Sequence, residues 1–187
     1  MVLQRRQWSR WRGEAEILDA ALARQDVADQ LAQRLGQGST GPLARVLGQA
    51  LRQDGMDRHL PALARTAIQP AVRAEALRTL IDGRAAWLEG YGQQWIDKTV
   101  GHSRRKAVMG GRDVVRQCPV GDLIALGAAD KATAVRKVAA EALIKHRDQA
   151  GTMQATIHEL AADRSPAVRE RIAFVIRTMS QGSAPGG

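Results

Sequence analysis

Apolar residues recur at three- and four-residue steps along most of the chain, a pattern typical of helices that bury one face. Three segments share a Val-Arg pair followed by small or apolar residues at helical spacing: 70–80, 133–143 and 166–176. Each follows another short segment with helical periodicity, at 57–68, 121–130 and 152–163. The links within these pairs are only a few residues long, so each pair is predicted to be two helices folded back on each other.

The spacing of the arginines predicts one further pair. Arg136 and Arg169 are 33 residues apart, and Arg73 and Arg136 are 63 apart, which is about two periods. Arg104 falls in the gap and makes the spacings 31, 32 and 33 residues. A regular period of this length is the mark of a repeat architecture. We therefore predict a degenerate second pair, in which the first helix carries an aromatic stripe and the second contains residues 103–108.

Composition shifts predict four regions along the chain. Residues 14–35 have the pattern of a strong amphipathic helix, the stretch Gly36 to Gly41 breaks it, and Pro42 opens a second helix that ends at Asp54-Gly55. The predicted regions are a basic arm rich in Arg and Trp (1–13), an N-terminal helical pair or cap (14–56), a repeat array (57–180) and a flexible tail (181–187).

The two regular pairs resemble HEAT repeats, including the short bacterial kind. In each, an Asp ends the first helix and a Val-Arg pair opens the second: Asp130 with Val135-Arg136, and Asp163 with Val168-Arg169. The resemblance implies an all-α fold, namely a right-handed α-solenoid, or armadillo-like superhelix, of about four HEAT-like helix pairs after a divergent N-terminal pair. It also implies a hydrogen-bonding ladder along the stacked turns. The residues that match the ladder are Arg73, Asp130, Arg136, Asp163 and Arg169.

The charge of the chain is compatible with several kinds of partner, and its cysteine content argues against disulfide and metal sites. The formal net charge is +9, and only five of the 28 basic residues are lysine. Such an excess is consistent with an acidic protein partner, nucleic acid or an anionic membrane surface, and also with a genome-composition effect. The single cysteine, Cys118, makes no internal disulfide, and the sequence shows no Cys/His metal spacing. We therefore expect a cytoplasmic protein without a metal or cofactor.

The degenerate second pair holds the residues with the most chemical interest. Trp87, Tyr91 and Trp95 lie at i, i+4 and i+8, and a basic run follows at Arg104, Arg105 and Lys106. The stripe is interpreted either as a seam of the core or as a stacking platform for a base or another ligand. Together these six residues are candidate binding residues.

One enzymatic family has a similar architecture and charge, the AlkD-type DNA glycosylases. Its site needs aromatic residues around an exposed nucleobase and a carboxylate, for which Trp87, Trp95 and Asp97 are the candidates here. The spacing of that family is not reproduced, so the chain is not predicted to be an enzyme and no catalytic residue is assigned.

The leading prediction is a non-enzymatic HEAT-like scaffold that binds another protein along its concave face. The candidate contacts on the second helices are Arg78, Lys137, Lys145 and Arg177. The first alternative is a nucleic-acid-binding protein. The second is a peripheral adaptor at the inner membrane, held by Trp8 and Trp11 among the arginines of residues 1–12.

Overall fold

The computed structural model describes residue 17 and residues 19–97, 99–146 and 151–182. Its helices and strands follow in chain order: α1 (Gln25–Gln37), α2 (Leu43–Ala50), a 3₁₀ helix (Asp54–His59), α3 (Leu60–Thr66), α4 (Pro70–Asp82), β1 (Arg84–Asp97), β2 (His102–Asp113), α5 (Val120–Ala128), α6 (Thr133–Lys145), α7 (Gln154–Ala161) and α8 (Pro166–Gly182). The predicted basic arm (1–13) lies outside the described residues, as do positions 183–187 of the predicted tail.

The prediction of an all-α solenoid is wrong. The structure is 62% helical and also contains an antiparallel two-stranded sheet, β1 with β2. The strands occupy the place of the second predicted helix pair, so the aromatic stripe lies in β1 and the basic run lies in β2. Four glycines within these segments, at 90, 92, 110 and 111, explain part of the difference, because each glycine costs a helix interior about 1 kcal/mol.

The remaining predicted helices form, with modest shifts of their ends. Pro70 and Pro166 each occupy the first turn of a helix, where a missing N–H has no intrahelical partner to lose. The helix predicted over 14–35 is interrupted, because the chain turns at Ala23-Arg24 and α1 begins at Gln25. This turn allows both Leu22 and Ala28 to be buried in the core.

The helices before and after the sheet pack directly against each other. Helix α4 contacts both α5 and α6, and α6 in turn contacts α8. The core between them is built of small aliphatic side chains, such as Ala76, Leu77, Ala139 and Leu143. The β-ribbon, defined here as residues 84–113, is therefore an excursion between neighbouring helix pairs, and β1 contacts α2 and α4.

A glycine in the left-handed conformation starts this excursion. Gly83 has φ +61°, and its N–H bonds back to the carbonyls of Leu80 and Thr79, which ends α4. The chain leaves the helix at this residue and enters β1 immediately. It returns beside the same residue, because the N–H of Val114 donates to the carbonyl of Gly83 at 2.9 Å.

Arginine–aspartate pairs connect successive helix pairs, and the first of these pairs spans the excursion. Arg73 donates from Nε and Nη2 to the two carboxylate oxygens of Asp130, at 2.7 and 2.9 Å. Its Nη1 bonds the carbonyls of Ala67 and Ile68 in its own pair, at 2.6 and 3.1 Å. Arg73 therefore bonds both the turn of its own helix pair and the aspartate of the next helix pair.

The second connection has the same form. Arg136 makes a bidentate pair with Asp163 and also bonds the carbonyls of Asp130 and Lys131, at 2.9 and 2.8 Å. Arg169, the third ladder candidate, is exposed and bonds the carbonyl of Asp163 at 2.7 Å.

The carboxylates of the two pairs are held in their ionised form. Hydrogen bonds from Arg136 keep the pKa of Asp163 below its usual range. Burial alone would raise the pKa of Asp130, but hydrogen bonds from Arg73 and from the N–H of Ala132 bring it below the usual value. A lowered folded-state pKa stabilises the fold above the unfolded pKa of about 4, and that stabilisation is lost as the pH falls through the folded-state pKa.

We predict that Asp163→Asn lowers the free energy of unfolding at neutral pH by about 3 kcal/mol, because the buried guanidinium of Arg136 loses its counter-charge. The side chains of this pair are only 9% and 5% exposed. Urea denaturation at a series of pH values measures the effect. The difference from the wild type should begin to shrink below about pH 4, where Asp163 becomes protonated in the unfolded chain, and should disappear only as the pH falls through the lower pKa of the folded protein.

The matched control is Asp26→Asn, which removes the same charge from an exposed pair with Arg24. Its unfolding curve should overlay that of the wild type at neutral pH, because exposed ion pairs contribute little. A pH-independent loss of stability in Asp163→Asn would contradict the assignment of the effect to its charge.

Candidate functional site

The β-ribbon is held to the helices at its base by one arginine of β2. Arg112 donates to the carbonyls of Leu51 and Gln53, both at 2.8 Å, and makes a bidentate pair with Asp57 at 2.6 and 2.8 Å. The hydrogen bonds with Asp57 raise the pKa of Arg112 above its usual value. All of these partners lie between α2 and the end of the 3₁₀ helix, so Arg112 fixes the direction in which the ribbon leaves the helices.

The first aromatic residue of the stripe also belongs to this base. Trp87 is half-buried against the hydrophobic core, and the guanidinium of Arg52 lies 5.7 Å from the centre of its ring. Gly110 stands opposite on β2, and a β-carbon there would overlap the Trp87 Nε1 atom. The interpretation of this tryptophan as part of the core therefore agrees with its position, and Gly110 provides the space for its ring.

A β-bulge at Glu89 divides the aromatic stripe between the two faces of the ribbon. Leu88 pairs with Met109 and Gly90 pairs with Val108, so Glu89 has no partner in the ladder. Side chains alternate between faces along a regular strand, and one extra residue reverses the alternation. Trp87 consequently lies on one face, and Tyr91 and Trp95 lie on the other.

The face that carries these two rings is the aromatic face of the ribbon. The ladder pairs Leu88 with Met109, Tyr91 with Ala107, Gln93 with Arg105 and Trp95 with Ser103, and opposed residues share a face. The side chains of Tyr91 and Trp95 are 51% and 48% exposed. The guanidinium of Arg105 lies 4.9 Å from the centre of the Tyr91 ring, and Gln93 Nε2 donates to Ser103 Oγ at 2.7 Å.

The opposite face is lined by glycine and basic residues, and we call it the glycine face. Gly90 and Gly92 on β1 reduce its side-chain cover beyond the bulge, although Val108 stands opposite Gly90. Arg104 and Lys106 extend from β2 on the same face. Arg104 Nε donates to Gln94 Oε1 at 3.0 Å, which keeps this guanidinium along the ribbon. The glycines allow another molecule to approach the backbone closely on this face.

The basic side chains in the middle of β2 form no ion pairs with described carboxylates. No described carboxylate forms an ion pair with Arg104, Arg105 or Lys106, and all three are exposed. Between residues 90 and 108 there are four basic residues and a single acidic one, Asp97. The part of the ribbon beyond the bulge therefore carries a concentrated net positive charge.

Two of the predicted contacts on the concave face are already paired with acids. Arg78 lies 3.2 Å from Glu75 and 3.8 Å from Glu141, and Lys145 lies 2.9 Å from Asp82. The other two candidates, Lys137 and Arg177, have no ion pair with a described side chain. The second helices thus carry both paired and unpaired basic residues among the described side chains.

The residues that a glycosylase site would need do not line one cavity. Trp87 and Trp95 lie on opposite faces of the ribbon, and the side chain of Asp97 lies outside the described part of the structure. Among the side chains that are described, no group of three His, Cys, Asp or Glu residues is placed to hold a metal ion.

A separate cleft lies between α1 and α3, with a volume of about 480 Å³. Asp29, on its rim, accepts hydrogen bonds from Arg58 and from His59 Nε2, the latter at 2.8 Å. The hydrogen bond from Arg58 keeps the pKa of Asp29 below its usual range. The cleft is open and its one carboxylate is already satisfied, so it offers less for recognition than the ribbon does.

The membrane hypothesis depends on residues that the structure does not describe. Trp8, Trp11 and the surrounding arginines all lie within residues 1–16, outside the described part of the chain. The helices in the described ranges are all too short or too polar to span a bilayer.

We predict that alanine substitutions of Trp87, at the base of the ribbon, and of Trp95, on its exposed surface, lower the free energy of unfolding by different amounts. Trp87→Ala should lower the free energy of unfolding by about 2 kcal/mol or more, because it removes a half-buried ring and leaves a void beside the core. Trp95→Ala should change it by less than about 1 kcal/mol, because an exposed ring loses little on truncation. Urea denaturation of both variants measures this, and equal losses would contradict the split of the stripe by the bulge.

Comparison of the chain with protein-family models, with curated proteins and with solved structures finds no match. The HEAT-like family therefore stays a prediction based on the Val-Arg pattern. The case for a function accordingly depends on the geometry and charge of the ribbon itself.

Proposed function

We propose that this protein binds nucleic acid through its β-ribbon and does so without catalysing a reaction. The observation that carries the proposal is the combination, on one ribbon, of exposed aromatic rings with basic side chains that form no ion pair with a described carboxylate. Basic side chains neutralise phosphates, and aromatic rings stack on bases, so the two together are typical of nucleic-acid surfaces.

The shape of the ribbon supports the same proposal. At about 3.3 Å per residue, the part of β1 after the bulge reaches on the order of 25 Å from the helices. The ribbon is therefore long enough to reach along a nucleic acid while the helical part of the protein stays outside it.

The distribution of charge favours the ribbon over the concave face as the nucleic-acid surface. Arg78 and Lys145 on the inner helices are engaged with acidic neighbours, and releasing them would cost the protein those ion pairs. Arg104 and Arg105 contact the neutral side chains of Gln94 and Tyr91, and neither they nor Lys106 would have to leave a described ion pair. A phosphate backbone therefore meets more available positive charge at the ribbon.

A protein partner is the second candidate, in keeping with a HEAT-like scaffold in the cytoplasm. One observation favours it: the ribbon also exposes aliphatic side chains, with Met109 58% and Val108 44% exposed. Both outer edges of a two-stranded sheet also have free backbone groups, to which an extended peptide can add a strand. This candidate predicts binding that depends on the aliphatic residues and changes little with salt.

We predict that replacing Arg104, Arg105 and Lys106 together by alanine abolishes most nucleic-acid binding at low salt. Each phosphate contact contributes roughly 0.7 to 0.9 to the slope of log affinity against log salt concentration. If all three residues contact phosphates, the triple variant should lose about two units or more of that slope. Fluorescence anisotropy with labelled oligonucleotides over a range of salt concentrations measures both quantities.

The control removes the same charge elsewhere, by replacing the exposed helical residues Arg34, Arg45 and Arg177 by alanine. This variant should keep most of the affinity and of the salt slope if the ribbon is the binding surface. Equal losses in the two triple variants would point to non-specific attraction by the net charge. A wild-type protein that binds no nucleic acid at low ionic strength overturns the proposal.

A further inference from the structure

We infer that the ligand of the ribbon is single-stranded nucleic acid, with unpaired bases stacked on Tyr91 and Trp95. This inference rests on the proposed function and names the class of nucleic acid. It follows from where the two rings lie, how far apart they are and which polar groups surround them.

The first step concerns which part of a nucleic acid an exposed ring can cover. In a duplex the flat faces of the bases are covered by their neighbours, and the grooves present only base edges. A ring gains its full stacking contact only on a base whose face is free. Tyr91 and Trp95 each expose about half of their side-chain surface on the aromatic face, so both suit unpaired bases.

The second step concerns the distance between the rings. Tyr91 and Trp95 are four residues apart on one face, which at about 3.3 Å per residue separates them by roughly 13 Å. A single base therefore cannot touch both rings. The face offers two separate stacking positions, as an extended strand with several unstacked bases requires.

The third step concerns the polar groups between and beside the rings. The Gln93–Ser103 pair lies between the two stacking positions, and its amide and hydroxyl groups can bond base edges. Arg105 already lies over Tyr91, so its charge and its planar group are both placed at the first stacking position. Arg104 and Lys106 are its neighbours on β2 but extend from the glycine face, so their long side chains must reach round the edge of the ribbon to meet the phosphates of the same strand.

The fourth step concerns the alternative in which the ribbon pries open a duplex. Proteins that kink duplex DNA insert an apolar side chain as a wedge between base steps. A wedge on a hairpin would stand at the tip, and the apolar side chain described there is Val100, 75% exposed beside Gly101, and not an aromatic ring. The aromatic rings lie along one face of the ribbon, where they can stack on bases but are not placed to insert between base steps as a wedge.

The experiment compares two labelled probes with the full chain: an oligothymidine of about 15 nucleotides, near the upper end of the site size for one binding fold, and a blunt duplex of the same length. The variants are Tyr91→Ala, Trp95→Ala and the conservative Trp95→Phe. The control is Met109→Ala, which truncates an exposed residue of the same face that has no ring. Circular dichroism and a thermal melt verify that each variant is folded.

The wild type should bind the oligothymidine more tightly than the duplex. Trp95→Ala and Tyr91→Ala should each weaken oligothymidine binding about 5- to 150-fold, the loss expected for one stacked base. Trp95→Phe should recover much of the affinity, and Met109→Ala should stay within about twofold of the wild type, since it removes no stacking partner.

Two results would overturn the inference, and they have different meanings for the proposed function. If the duplex binds as tightly as the oligothymidine and both ring variants leave the affinity unchanged, the single-strand inference is wrong while nucleic-acid binding stands. If neither probe binds the wild type at low salt, the proposed function fails and the inference fails with it.

Discussion

The bidentate pair between Arg73 and Asp130 is the contact on which the arrangement of this protein depends. The two residues are 57 positions apart in the chain, and the whole β-ribbon lies between them. Because the arginine also bonds the carbonyls of its own turn, it joins the helix pair before the ribbon to the helix pair after it. The ribbon can then project from the helices without opening a gap in their core.

The periodicity of the sequence predicted the helices correctly but predicted a helix pair where the ribbon lies. The Val-Arg segments at 70–80, 133–143 and 166–176 all become helices, because their buried positions are set by local spacing. The ribbon is 30 residues long, which is close to one repeat period. Arg104 therefore lies where a repeat arginine was expected although it belongs to a strand. Arg73 and Arg136 are two periods apart in sequence, yet their helices are direct neighbours.

The aromatic stripe was ambiguous for a physical reason. A spacing of four places residues on one face of a helix, and four is also an even number, so a regular strand gives the same result. Only the glycines around the stripe, and the Asp82-Gly83 end of α4, argued for strands in the sequence. The bulge at Glu89 had no signal that we recognise, and it is the bulge that separates Trp87 from Tyr91 and Trp95.

The hydrogen bond between Val114 and Gly83 has a consequence for how this architecture is organised. It brings the two ends of the ribbon together at the surface of the helices, so the ribbon enters and leaves the fold through one point. A segment attached in this way is modular: its length, faces and charge can change while the helical core keeps its contacts. The helices keep their own contacts, so the exposed surface of the ribbon can be changed without altering what holds it.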